Sequence, residues 1–170
     1  NDYRDLTPPR PGAATMATTG PGEKENQCVR VSEYMTRKVI TAAPEDGVRE
    51  TFFRMREARI RHLPVLQGAQ LVGMLSDRDL RRPDWVDEAP DLSHDYQLDD
   101  NLSVSDLMSH HPVSVHTYDD LGRACELINQ HGFGALPVLD KGNHLVGIIS
   151  KADLVRAFGR ALQSHREHIG

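Results

Sequence analysis

Two stretches of this chain carry residue types that can meet an anion and a sugar together. Gly73, Ser76 and Asp79 stand in a Gly-x-x-Ser-x-x-Asp spacing that returns as Gly147, Ser150 and Asp153. Each set closes an apolar run (71–75 or 145–149) and opens a helical pattern, so the serine falls at a helix start. Free backbone N–H groups and the helix dipole there favour phosphate. The hydroxyl adds a donor, and an aspartate one turn on can accept bonds from vicinal ribose hydroxyls. Glycine at the strand end would let a ligand approach the backbone. The same Ser-x-x-Asp spacing is also an ordinary helix cap, and a single copy would carry little weight. Duplication in matched register favours the binding reading.

The elements that must position these residues are themselves duplicated. Val31-Ser32-Glu33-Tyr34-Met35 recurs as Val104-Ser105-Asp106-Leu107-Met108, and Leu63-Pro64-Val65-Leu66 recurs unchanged as Leu136-Pro137-Val138-Leu139. Between them lie short β-like runs at 39–42 and 112–116, then helical windows. Val48, Phe52 and Met55 mark one window, and Leu121, Ala124, Cys125 and Ile128 the other, at three- and four-residue spacing. Asp46 and Asp119–Asp120 place acids at the helix starts, and Gly132 suits the stop of the second. Glycine-bearing turns at 67–70 and 140–144 join two apolar strands in each copy. The expected order is β-α-β-β-α, twice, in an α/β (α+β) protein. A copy of about 50 residues buries too little to stand alone, so the two should pack on each other.

Composition narrows the function. With 170 residues, 20 Lys+Arg against 25 Asp+Glu and a net charge of -5, the chain lacks the basic footprint of a nucleic-acid binder. No apolar stretch approaches the roughly 20 residues that cross a bilayer. Two cysteines, Cys28 and Cys125, form no disulfide framework, which makes a reducing cytoplasm the expected compartment. Residues 1–27, rich in Pro and Gly, read as a disordered leader. With Asn1 in front and Met16 inside it, part of this leader is expected to be foreign to the natural sequence. The segment 84–100 carries seven acids and no Lys or Arg; removing them from a net charge of -5 leaves +2. The negative balance is therefore local. Trp85 and Tyr96 within it are expected to pin this connector to the body.

The two copies of Val-Ser-(Asp/Glu)-x-Met, Leu-Pro-Val and Leu-Val-Gly-x-x-Ser-x-x-Asp-Leu together resemble a tandem pair of cystathionine beta-synthase (CBS) domains, a Bateman module, over roughly residues 31–158. The run Ile60-Arg61-His62-Leu63-Pro64-Val65 with Ser76-Asp77-Arg78-Asp79-Leu80 is similar to stand-alone bacterial members, the acetoin-utilisation proteins among them. The resemblance implies two repeats, 28–83 and 104–158, flanking an acidic connector at 84–103 and followed by a C-terminal helix or tail at 159–170. It implies pseudo-twofold packing of two three-stranded sheets, with two clefts for AMP, ADP or ATP, Mg accompanying ATP, and regulation in place of catalysis. Asp79 or Asp153 would bind ribose, and Ser76 or Ser150 would face phosphate. Thr41 or Ser114 would meet the base end, against walls of Val39, Ile40 and Val113. Arg61, His62, Leu63 and Pro64, with Gly134, Ala135, Leu136 and Pro137, would line the clefts.

The copies differ in charge: Arg61, His62 and Arg78 accompany the first, while the second offers Lys151 and has Gly134 and Ala135 in place of Arg61 and His62. Guanidinium donors suit a diphosphate or triphosphate. A homodimer pairing modules through their helices and an effector protein are the partners such a module would need. The alternative is a protein-interaction module with vestigial or empty clefts, docking through the acidic connector. No hydrolase elbow, Walker loop or zinc-protease motif is present, and no catalytic residues are assigned. His110, His111 and His116 are expected on a surface turn without ligand spacing for a metal. Arg54, Arg56, Arg59 and Arg61 read as a solvated face, and Met55 and Cys125 as core.

Overall fold

In the computed structural model, residues 28–80 and 102–167 are described, with side chains through 164. The leader, the connector with Trp85 and Tyr96, and the last three residues lie outside them. Both expected amphipathic helices form. Helix α2 (Val48–Glu57) buries Val48, Thr51 and Met55. Helix α4 (Leu121–His131) buries Ala124, Leu127 and Ile128. Asp120 caps α4 by accepting a bond from the Gly122 N–H at 2.6 Å, and Gly132 ends it at φ 70°. Cys125 faces outward from α4 and is exposed, a correction to its expected core role, whereas Met55 is 1% exposed.

The two hairpins are near copies. Strands β1 (His62–Gln67) and β2 (Gln70–Ser76) pair antiparallel with Val65 opposite Gly73. Strands β5 (Ala135–Leu139) and β6 (Leu145–Ser150) pair with Val138 opposite Gly147. Register shifts fall at the same place, after Val65 and after Val138. Gly68 at φ 61° turns the first hairpin; Asn143 at φ 61° and the Asp140 carboxylate, which accepts from Gly142 and His144, turn the second.

The β-like runs are shorter than expected. Strand β4 is only Val115–His116, parallel to β5, and the run at 39–42 contributes a single bridge, Ala42 to Val65. Proline explains both limits. The bridge donates from Ala42 to the Pro64 carbonyl and accepts from Leu66, so the next upstream step would need an N–H that Pro64 lacks; Pro137 imposes the same stop on β4. Downstream, Thr117 donates to Leu139, while the first copy has Pro44 at that position and stops one step sooner.

Two short helices were not anticipated: α1 (Val31–Tyr34) and α3 (Val104–Leu107), each the Val-Ser-acid stretch of a repeat. In both, the acid at the third helical position, Glu33 or Asp106, folds back onto the N-cap backbone. The expected helix after Ser76 is a turn through Leu80, with Leu80 donating to the Ser76 carbonyl at 3.4 Å; residues 81–101 lie outside the described part of the chain. Its counterpart is the long α5 (Lys151–Glu167), which runs on through most of the segment expected as a C-terminal helix or tail. Among the described residues, no helix is long and apolar enough to cross a membrane.

What joins the repeats is a reciprocal exchange. The segment carrying α3 continues into β3 (Ser109–His110), which pairs with β2 of the first hairpin, so His110 lies on a sheet edge and not on a turn. Thr36, the counterpart of Ser109, pairs with Ile148 of the second hairpin. Val31 and Ser32 donate to the carbonyls of Asp119 and Thr117; Val104 and Ser105 donate to those of Asp46 and Pro44. The cores show the same exchange. Val31 and Met35 pack with Val115, Ala124, Ile128, Leu136, Val138 and Ile149, while Val104 packs with Ala42, Val48, Met55, Leu63, Val65 and Leu75.

Candidate functional site

The two Ser-x-x-Asp sets sit where β2 and β6 end, at corners related by the exchange. In the first, the Asp79 Oδ2 accepts from the Ser76 N–H at 2.8 Å and the Ser76 hydroxyl at 2.7 Å, and the Asp79 N–H points back to that hydroxyl. The second repeats this: Asp153 Oδ2 takes Ser150 N–H at 2.8 Å and its hydroxyl at 2.6 Å. Both motifs are thus capping boxes. The hydroxyls expected to face phosphate spend their protons on the neighbouring carboxylates and accept from the aspartate N–H groups, leaving one lone pair on each serine oxygen and one carboxylate oxygen per box for other partners.

At the second corner that oxygen has a partner. Asp153 Oδ1 accepts from Arg156 at 2.6 Å, and Asp153 is 3% exposed. Asp79 is partly exposed, and its Oδ1 has no partner among the described residues.

The motif glycines have a different task from the one expected. A Cβ on Gly147 would come within 2.6 Å of Met35 Sδ and 3.1 Å of the Thr36 carbonyl; one on Gly73 would meet the Met108 sulfur and, at 3.2 Å, the Ser109 carbonyl. Their missing side chains admit the exchanged segment of the other repeat, not a ligand. The methionine ending each Val-Ser-acid-x-Met stretch is the knob for that hole.

The corners meet across a seam. The Asp77 N–H donates to the Arg61 carbonyl at 2.9 Å, and Lys151 to Gly134 at 3.0 Å, so each helix start is tied to the residues preceding the hairpin's first strand. His62 leans from the first repeat onto the second, its ring lying where a Cβ on Gly134 would be. Burial holds its imidazole below the ordinary value; Asp77 and Asp79 pull upward, and Arg61 and Lys151 push down. Beside this seam is a recess of 250 Å³ lined by Phe52, Met55, Arg56, Arg59, Ile60, Arg61 and Asp77.

The remaining expected lining residues divide by depth. Leu63, Pro64, Ala135, Leu136 and Pro137 are buried, with Leu63 and Leu136 in the two cores. Thr41 and Ser114 are half-buried, each one residue before the bridge to Val65 or Val138, and neither hydroxyl has a partner among the described residues. Ile40 and Val113 pack on the cores beside them. Arg61, Arg78 and Lys151 are exposed. The arginine run is not uniformly solvated: Arg54 is paired with Asp46 at 2.7 Å, and Arg56 lies over the Phe52 ring at 5.6 Å. Sequence reasoning missed Arg59 as a recess residue. Its signal was the left-handed backbone at φ 54°, which no linear pattern announces.

Comparison with known proteins agrees with this architecture. The family model for the CBS domain matches twice, over 31–83 and 104–160, and the chain belongs to the CBS-domain family as a tandem pair. It is 32% identical over 124 residues to the CBS domain-containing protein YhcV of Bacillus subtilis, spanning 73% of this chain and 81% of that one. It is also 32% identical over 134 residues to an uncharacterised Methanocaldococcus jannaschii protein, of which it spans only 44%. The crystal structure of CBSX2 in complex with AMP superposes with a TM-score of 0.64 at 30% identity, over 80% of this chain and 98% of that one.

Proposed function

We propose that the chain is a non-enzymatic regulatory module that binds an adenine nucleotide at its strand-end corners and passes the occupancy to a partner protein. The observation that carries this reading is the paired corner geometry. Each corner presents a strand end closed by a Ser-x-x-Asp box and a half-buried hydroxyl, Thr41 or Ser114, on the neighbouring chain segment, and at the first corner Asp79 keeps a second oxygen without a partner among the described residues. Carboxylate for ribose, the exposed cations Arg61, Arg78 and Lys151 for phosphate and an apolar wall for a base form a nucleoside-phosphate site. The AMP bound by the CBSX2 relative supports the adenine choice.

Regulation rests on the exchange. A ligand touching both repeats binds one of their packings better than another, and only that difference in affinity shifts the equilibrium. A second copy of the module and an effector protein are the expected recipients.

The test is a thermal-shift series of AMP, ADP, ATP (with and without Mg), GTP and S-adenosylmethionine against the intact chain, since a ligand selective for the native state raises the midpoint. An adenine nucleotide is expected to raise Tm and GTP to leave it in place. No shift with any ligand at millimolar concentration overturns this reading and favours an interaction module with empty clefts.

A further inference from the structure

His62 joins the two repeats through a ring that can change its charge. It opens β1 in the first repeat, half-buried, and its ring fills the place where a Cβ on Gly134 of the second repeat would stand, with Cδ2 3.2 Å from that point. Gly132, two residues earlier, serves its φ of 70°; Gly134 has no positive φ, so what calls for a missing side chain there is the imidazole. The pair occurs once, because Ala135 stands in the second repeat where the first has His62, and Arg61 stands in the first where the second has Gly134. Both sides are braced. The Arg61 carbonyl accepts from the Asp77 N–H at 2.9 Å, and the Gly134 carbonyl from the Lys151 N–H at 3.0 Å.

Burial is the strongest influence on the ring and disfavours its charged form. The charges around it are distributed unevenly between the repeats. Asp77 and Asp79, on the turn after β2, belong to the repeat of His62 itself and favour its proton, while Arg61 beside it opposes it. From the second repeat, the charged group facing the ring among the described residues is Lys151, a cation. Arg78, between the two acids, is exposed; His131, on the segment leading to Gly134, is exposed and stacked on the Phe133 ring at 5.0 Å. A neutral imidazole therefore suits the seat on Gly134. An imidazolium does not: it gives up hydration there, meets a like charge from the second repeat, and is drawn by two carboxylates back toward the first.

We infer that His62 on Gly134 is a proton-operated latch between the repeats, seated while the ring is neutral and released when mildly acidic solution protonates it. The proton binds the released ring better than the seated one. Each pH unit below the ordinary histidine value of about 6.5 therefore raises the released population, by at most about tenfold. With the latch released, the exchanged segments are left to hold the repeats together, and their pairs open more often. The latch works without a nucleotide and goes beyond the binding reading above.

Hydrogen exchange of the intact, ligand-free chain tests it, read residue by residue by NMR at about pH 7.5 and about pH 5.5. Rates are expressed as protection factors, which removes the intrinsic pH dependence of exchange. The reporters are amides bonded between the repeats: Val31, Thr36, Val104 and Ile148. Their protection in the wild type is expected to fall by up to about tenfold on acidification. His62→Phe, an uncharged ring of similar size, should keep the same protection at both pH values. His62→Gln should also remove the pH dependence, which keeps the test available where the phenyl ring disturbs folding. Gly134→Ala, which unseats the ring, should give low protection at both. Equal protection in the wild type at the two pH values overturns the inference, as does an acid-dependent loss that survives in His62→Phe or His62→Gln.

Discussion

At the residue scale, one atom of difference decides whether the repeats can join. Gly147 and Gly73 are each covered by a methionine from the other repeat, and a backbone carbonyl lies behind each sulfur. The methionine can swing aside, but the Thr36 carbonyl, 3.1 Å from an added Cβ, is held in the bridge to Ile148. Gly147→Ala is expected to cost about 1–3 kcal/mol as overpacking. In urea unfolding this would appear as a lowered midpoint with an unchanged m-value; an unaltered midpoint would show that the segment shifts freely. His62 offers a second prediction. Its folded pKa lies below the unfolded value of about 6.5, so the stability it lends is fully present above that pH. That contribution is lost as pH falls toward the folded value. The wild-type midpoint should therefore drop between pH 7.5 and 5.5, and His62→Gln should remove that part of the slope. Asp46, Asp106, Asp120 and Asp140 sit below the usual carboxylate range, so their loss falls at lower pH and does not blur the window. A slope unchanged in His62→Gln would assign it to other groups.

At the element scale, helix ends were the easiest features to anticipate, because caps are local chemistry. Asp120 and Gly132 bracket α4 as their residue types suggest. Gly132 is a clean test, since nothing lies within 4 Å of an added Cβ and only the φ of 70° opposes it. Gly132→Ala should cost roughly 1–2 kcal/mol through backbone strain alone, read as a lower Tm, and Gly132→Asn should recover part of it. Strands were harder. The runs at 39–42 and 112–116 have β-like composition, yet their lengths are set by whether the partner strand offers an N–H, and Pro64 and Pro137 do not. The partner of a strand is a tertiary fact, although the prolines that limit it stand in plain view.

At the scale of the whole molecule, neither repeat contains its own core. The first hairpin is backed by Val104 and flanked by β3 from the second repeat; the second is backed by Val31 and Met35 from the first. A chain cut to residues 102–170, or to 1–101, is expected to show no cooperative unfolding on its own, because its sheet would expose the surface that the exchanged segment covers. Mixing the two pieces should restore a cooperative transition, measured by far-UV circular dichroism. Independent cooperative folding of either piece would mean that the exchange is dispensable.

The two amphipathic helices, the paired hairpins and both Ser-x-x-Asp sets were legible in the linear chain, because each rests on spacing within about a dozen residues, and the duplication was legible because whole strings recur. So was the family. Only the folded molecule assigned the partners. It turned the motif glycines from ligand-approach positions into sockets for Met35 and Met108, spent the serine protons on the capping boxes, and exposed Cys125 on the outer face of α4. It also laid Arg156 over Asp153 and His62 over Gly134. These outcomes depend on contacts between residues as many as 112 positions apart, as Thr36 and Ile148 are. Local periodicity holds no record of such pairs; only the reciprocal exchange of segments brings them within reach.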